Sequence, residues 1–536
     1  MQVIQRRFLG MLFLSLTLFF AGIANVKPAN AQVTAFRQAV AEAAAKDRDI
    51  AAFYQSNGYT GIWTGNSSKD RRRRQELIRA IGAAGVHGLP VARYDAAGLM
   101  ARMKAAKDPR QRGFVEVEMS RVFLRLSRDM QTGVLIPSRI DDGIKRVVPY
   151  RSRVSYLTAI SKGNPKSFFR ALPPKSNEYA RLLKEKQRLE RQIAKGGWGP
   201  TVPGKSLKPG ATGGAVIALR NRLISMKFMK RSSIKSYDGK MQKAVQQFQL
   251  AHGLAPDGVV GAGTMAEINK SMIYRLQSVI VAMERERWMN QDLGKRHILV
   301  NLTDFSARII DNDRVTFETR AVVGKNETDR RSPEFSDMME FMVINPTWNV
   351  PRSIAVKEYL PMMKRDPNAA GHLRLYNARG QVVDRANIDF SALSASNFPF
   401  DIKQPPSRRN ALGLVKFMFP NKYNIYLHDT PAKNLFTRNK RDFSHGCIRL
   451  QQPFEFAYQL LSKQVNNPQA FFKARLDTSR ETVVPLEQPV PVHIMYRTAF
   501  TRAKGHMQYR RDVYGRDAKI WKALVKAGVS QPGVQG

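Results

Sequence analysis

Apolar residues recur every three or four positions through residues 32–200, which predicts a mostly helical region. Ala39 to Ala45 is alanine-rich, Glu76 to Ile81 continues the helical pattern, and Val115 to Met130 carries a stripe of Val115, Val117, Met119, Val122, Phe123 and Leu126. Ser176 and Asn177 are candidate caps for a helix through Ile193, stopped by Gly196-Gly197-Trp198-Gly199-Pro200 and a Pro/Gly-rich linker to Gly210. Val216, Leu219 and Leu223 mark one further helix, and Ala244, Val245, Phe248 and Leu250 another. After the turn Asp257 to Gly261, Thr264 is the expected cap of a short helix through Ile268. Met272 to Trp288 reads as a longer helix. From Arg296 the period becomes two: Ile298, Val300 and Leu302 alternate with their neighbours, Asp311-Asn312-Asp313 turns, and Val315, Phe317 and Thr319 start a return strand. Further strands are expected at Phe341 to Asn345, Val415 to Phe419, Asn424 to His428 and Val490 to Tyr496. Between Val350 and Val415 lie about sixty residues, too many for a plain connection, so a structured insert is expected. It opens on an amphipathic run, Ser353 to Lys364, and ends on a polar strap, Lys403 to Asn410.

The N-terminus departs from this pattern. Arg6 and Arg7 precede an apolar stretch, Phe8 to Ala24, and Ala29-Asn30-Ala31 gives a small-x-small site, so residues 1–31 read as a secretory signal peptide cut after Ala31. The stretch is short for a membrane span, and no span is expected after cleavage. The formal charge is +45, and +42 without residues 1–31, which hold Arg6, Arg7 and Lys27 and no acid. Such a charge seeks polyanions. For an exported chain these are wall carboxylates and lipid headgroups. No aromatic-basic recognition motif supports nucleic acid as a partner. The 43% hydrophobic content excludes disorder as the main state, and a single cysteine, Cys447, excludes a disulfide framework. The run Arg71 to Arg74 is expected to be a solvated helix end, with a dedicated anion site as the alternative.

Ala244-Val245-Gln246-Gln247-Phe248-Gln249, followed by Gly253-Leu254, Asp257 to Gly261 and Thr264, resembles the small helical peptidoglycan-binding domain of wall enzymes. The basic stretch Lys227 to Lys235 fits it loosely.

Ser444-His445-Gly446-Cys447-Ile448-Arg449-Leu450 is the densest chemical signal. A thiol attacks as its thiolate and needs a base beside it. His428 ends an expected strand 19 residues upstream, a gap that suits neighbouring strands. His445 is the rival base. His428, His445 and Cys447 are also zinc-ligand types, but no supporting carboxylate pattern stands out and no metal or cofactor is expected. The order His428, Ser444, His445, Gly446, Cys447, Arg449 resembles the catalytic core of the L,D-transpeptidases. Asn345-Pro346-Thr347-Trp348-Asn349-Val350-Pro351, Asn410-Ala411-Leu412-Gly413 and Leu427 to Pro431 resemble its large periplasmic subfamily. Lys403 to Ser407 departs from that subfamily, where many relatives carry an arginine and a glycine, so the strap's conformation stays open.

The resemblance implies a multidomain α+β fold. Its parts are a helical scaffold (32–200), a three-helix peptidoglycan-binding domain (205–270), a connecting helix (271–294), a β-rich catalytic domain (295–500) with a capping insert at about 352–411, and a C-terminal extension (501–536). It further implies Cys447 as nucleophile, His428 as base and the amides of Gly446 and Cys447 as an oxyanion hole. Arg449 then holds the motif or meets a substrate carboxylate, Tyr426 and Trp348 line the pocket, and Ser444 and His445 stand beside the substrate. The implied partners are peptidoglycan tetrapeptide stems in the periplasm. The acyl acceptor stays open between a stem amine (a 3→3 cross-link), water (an L,D-carboxypeptidase) and an envelope protein. A non-catalytic wall-binding scaffold is the alternative from another class.

Overall fold

The computed structural model describes residues 28–502 and 505–530. The expected leader lies outside the described residues except for its last four, which open the helix Pro28–Ala44. No described helix is long and apolar enough to cross a membrane. The chain divides into two compact units: residues up to Val134 with Tyr150–Lys175 and Ala527–Val529, and Leu135–Pro149 with Ser176–Lys526 and Ser530.

The first unit is helical. Its centre is the helix Pro109–Thr132, which starts on Asp108 as cap with Pro109 in the first turn, where a missing N–H costs nothing. Its buried Glu116 accepts from the backbone N–H groups of Ile62, Trp63 and Thr64 and from the Tyr54 hydroxyl. One carboxylate thus replaces the ladder that this loop lacks. The arginine run lies on the helix Ser68–Gly82 but is not solvated throughout. Arg73 is buried and donates to the carbonyls of Ile62 and Ile160, and Arg74 to those of Trp63 and Gly65. Carbonyls of the loop at Ile62 to Gly65 and of the last turn of the helix Arg153–Lys162 needed donors, which the sequence pattern alone did not show.

In the second unit Ser176 caps the helix Asn177–Ile193, its Oγ accepting from Tyr179 N–H at 3.1 Å. Three helices follow, Gly214–Ser225, Gly239–Ala251 and Ala262–Ile268, around Leu219, Leu223, Val245 and Phe248. Thr264 does not cap the last of these. It lies inside the helix, and its hydroxyl accepts from Gln249 Nε2 at 3.1 Å. The helix Met272–Trp288 then leads to the β-rich part.

Nine strands form the main sheet: β1 (Arg296–Asn301), β2 (Ser306–Asp311), β3 (Arg314–Gly324), β4 (Phe335–Ile344), β9 (Val415–Met418), β10 (Leu427–His428), β11 (Asp442–Ser444), β12 (Ile448–Leu450) and β13 (Thr482–Met495). The order is β11-β3-β12-β10-β9-β4-β13-β1-β2, and β2 also pairs with β3, so the sheet closes on itself. Strand β2 was not foreseen: the chain already reverses at Thr303–Phe305, before the expected turn at Asp311. Strand β10 is shorter than the run from Asn424, because Asn424 takes a φ of +54° and Asn421 bonds the backbone at Tyr423 and Ile425. Inside the barrel, Ile298, Val300, Met342, Phe417, Leu427 and Ile448 pack with Phe456 and Leu460 of the helix Pro453–Leu461.

Between β4 and β9 lies the insert. It holds a second sheet of β5 (Trp348–Asn349), β8 (Asp401–Gln404), β6 (Arg374–Tyr376) and β7 (Val382–Val383), in that spatial order, and its own core around Leu360, Met363, Leu375 and Phe390. The helical stretch from Arg352 to Arg365 contains a π-helical turn, Ala355–Tyr359. Asn410 clasps the two ends of the insert: its Nδ2 donates to the carbonyls of Pro346, Gln404 and Pro405 at 2.9–3.1 Å.

Candidate functional site

Strands β10 and β12 run parallel, with Leu427 opposite Ile448 and His428 opposite Arg449. Leu427, Ile448 and Leu450 fill the barrel core, so the two-residue period turns Tyr426, His428, Cys447 and Arg449 to the other face. Cys447 closes the bend before β12. Three bonds shape that bend: Ser444 Oγ donates to the Cys447 carbonyl at 2.5 Å, Gly446 N–H donates to Ser444 Oγ at 3.2 Å, and Ser332 Oγ donates to the Gly446 carbonyl at 2.5 Å. Gly446 has a φ of +119°, which an L side chain rarely adopts. This kink separates His445 from Cys447, so the two do not share a face as an extended segment would require.

The half-buried thiol donates to the Asn424 carbonyl at 3.5 Å and lies within hydrogen-bonding reach of Tyr426. Burial pushes it up to about 11, against which Tyr426 and the Arg449 guanidinium act in part. His428 is buried, and its Nδ1 lies 2.5 Å from the Asp429 carbonyl. Burial and then Arg449 push the imidazole down to about 3. Thiol and imidazole are therefore both neutral at rest. Asp429 holds the turn behind His428: its carboxylate accepts from Leu414 N–H at 2.9 Å and pairs with Lys433 at 2.6 Å. A Cβ on Gly413 would stand 2.3 Å from that carboxylate, which accounts for the glycine in Asn410-Ala411-Leu412-Gly413.

Family models match three stretches: an L,D-transpeptidase catalytic domain at 295–484, a scaffold domain at 48–185, and a "Putative peptidoglycan binding domain" at 212–268. Residues 295–484 thus match the L,D-transpeptidase catalytic family. A "Putative L,D-transpeptidase" of Haemophilus influenzae is 32% identical over 225 residues, 42% of this chain and 45% of the relative. The match thus spans less than half of that relative's length. Among solved structures, an L,D-transpeptidase of Xylanimonas cellulosilytica covers 55% of this chain and 100% of its own at 15% identity, with a TM-score of 0.17. A fused amidase/peptidase from Clostridium acetobutylicum gives 12% and 0.15 over the same shares. Overlaps this low carry no argument.

Within the L,D-transpeptidase domain the candidate residues separate. Cys447, His428, Tyr426 and Arg449 share one face, and the Tyr426 and His428 ring centroids are 5.6 Å apart. Arg449 is half-buried, and its Nε meets no acceptor among the described residues. Ser444 is buried and shapes the loop. Trp348 lies in the insert's core, 6.2 Å from the Tyr359 ring. His445 is exposed and bonds Glu358 of the insert at 2.6 Å through Nε2. Glu358 also pairs with Arg330 at 2.7 Å, so it joins the insert both to the loop that carries Cys447 and to the segment between β3 and β4. His428, His445 and Cys447 do not converge, and among the described residues no group of three or more His, Cys, Asp or Glu is set to hold a metal ion. Sequence reasoning missed Glu358 and Lys416. The second stands opposite His428 on β9, and only strand register reveals it.

Proposed function

We propose that this chain is an exported cysteine acyltransferase acting on peptidoglycan tetrapeptide stems. The observation that carries the reading is the shared face of Cys447 and His428, two positions apart in register, on a domain that matches the L,D-transpeptidase family. The peptidoglycan-binding module supports the wall as substrate, and the basic N-terminal leader pattern supports a periplasmic location.

The steps follow from the resting state. With a neutral thiol and a neutral imidazole, Cys447 gives its proton to His428 as Sγ attacks the carbonyl of the diamino acid. General-base help of this kind is worth about 10²–10⁴-fold. Gly446 N–H is engaged by Ser444, so Cys447 N–H is the donor left for the oxyanion. The C–N bond breaks, D-Ala leaves with the proton from His428, and a Cys447 thioester remains. A stem amine then attacks the thioester and loses its proton through His428 back to sulfur, which gives a 3→3 cross-link. The insert, tied to the loop through Glu358, shields the thioester from water.

Mass spectrometry after incubation with disaccharide-tetrapeptides tests this. Loss of D-Ala with dimer formation is expected, and Cys447→Ala should show neither. Tripeptide alone makes the enzyme a carboxypeptidase. Thioester trapped only by an added envelope protein makes it an anchoring enzyme. No loss of D-Ala leaves a wall-binding scaffold and ends the enzymatic reading.

A further inference from the structure

Lys416 on β9 stands directly opposite His428, and Arg449 on β12 stands directly opposite it on the other side. Phe417, Leu427 and Ile448 fill the barrel core, so all three basic side chains point to the face that carries the thiol. With neighbouring strands about 4.8 Å apart, the row Lys416–His428–Arg449 spans roughly 10 Å. Buried valines bound it, Val343 opposite Lys416 and Val322 opposite Arg449. Neither cation pairs with a described carboxylate. The acid that Lys416 feels is Glu481, which is exposed and accepts from Thr347 N–H. Burial works against the charge on both cations. Two half-buried cations without counter-ions cost free energy, and an incoming anion would relieve that cost.

We propose that Lys416 and Arg449 form a carboxylate-binding row, and that Lys416 makes the site selective for acyl donors bearing a free carboxylate near the scissile bond. The inference rests on the acyl-transfer reading of Cys447. Two carboxylates of a stem share the required chemistry: the C-terminal one on the leaving residue, and one at the far end of the diamino acid. Binding also acts on the base. The charged groups facing His428 are Arg449 and Lys416, both of which disfavour the imidazolium, while the Asp429 carboxylate is turned to Leu414 and Lys433. A carboxylate held between the cations offsets their repulsion, so the donor strengthens the base that will act on it.

The test uses the full chain as wild type, Lys416→Met and Lys416→Arg. Cys447 is the only cysteine, so alkylation reports on this site alone. Iodoacetate and iodoacetamide form the same S–C bond and expel the same iodide, but only the first carries a carboxylate. The iodoacetate-to-iodoacetamide rate ratio should fall about tenfold in Lys416→Met and recover in Lys416→Arg. In turnover, kcat/KM is compared for a tetrapeptide donor, its C-terminal amide and its diamino-acid amide. Wild type should favour the acid by roughly 10- to 100-fold, the size of a hydrogen bond to a charged group. Lys416→Met should close that gap, and the amide that already lacks it identifies the carboxylate. Equal losses on every donor with an unchanged alkylation ratio would make Lys416 structural and overturn the proposal, as would no change at all. If wild type turns over no donor, the acyl-transfer reading fails, and the alkylation ratio still decides the row.

Discussion

At the scale of single residues, the proposed acyl transfer depends on where one sulfur is held. The bend carrying Cys447 is fixed by Ser444, Ser332 and the backbone of Gly446, whose φ of +119° leaves little room for another residue. A Cβ there would stand 3.2 Å from Ile425 Cδ1, a contact that has to give. Backbone strain of this kind costs about 1–3 kcal/mol. The loop can relieve it by shifting, and a shift of about 1 Å at a reacting atom costs on the order of 10²-fold in rate. Gly446→Ala is therefore expected to lower kcat/KM about 100-fold while the thermal midpoint moves only a few degrees. Paired melting curves and turnover assays check this. Full activity in a well-folded variant would mean that the bend does not place the thiol.

At the scale of elements, ion pairs tie the insert to the barrel. Glu358 sits in the π-helical turn and takes His445 and Arg330 together, and Lys357 beside it pairs with Asp329 at 2.7 Å. Half-exposed pairs like these are worth about 0–1 kcal/mol each, too little to fix the fold but enough to bias the insert's position. Glu358→Gln keeps the size and removes the charge. Hydrogen exchange at residues 355–365 is expected to quicken, with cross-linking falling relative to hydrolysis and global stability unchanged. Unaltered exchange would show that other contacts hold the insert. The same scale shows what the sequence made legible. Helix Asn177–Ile193 starts at its capping Ser176 and helix Met272–Trp288 follows its apolar spacing, because those signals are local. The Ser-His-Gly-Cys motif stood out for the same reason. The burial of Arg285 to Arg287 was not: their partners, Glu334, Asp517, Tyr179 and Arg497, are distant in sequence. Glu358 and Lys416 escaped likewise, since pairing across strands and an insert's docking carry no short-range signature.

At the scale of the molecule, a net charge of +45 coexists with many cations already spent on backbone carbonyls, Arg222 on those of Ile268, Gly199 and Lys270 among them. Buried histidines then govern the acid side. Burial pushes His428 down to about 3 and His493 to about 4, holds His252 well below the usual 6.5, and lowers His297 and His506. Each takes a proton near pH 6.5 in the unfolded chain but not in the fold, so the unfolded state binds more protons as pH falls. By linkage, this stability is present above about pH 6.5 and is lost progressively toward pH 3–4. Asp517, raised to about 6, opposes the trend, as do Glu116 and Glu178, because these carboxyls protonate first in the fold. His428 and His493, held down to about 3 and about 4, stay neutral across this whole interval while Asp517 begins to gain its proton only near 6, so the thermal midpoint should fall as pH drops from 7.5 to 5. His252 lies stacked against Phe248 with ring centroids 3.9 Å apart and faces Tyr509 at 5.5 Å. His252→Phe keeps a ring in that stack and removes one titrating site, so its midpoint should fall less steeply over the same interval. Calorimetric scans of both proteins across the interval check the slope. A flat wild-type profile would mean that the raised carboxyls cancel the histidines.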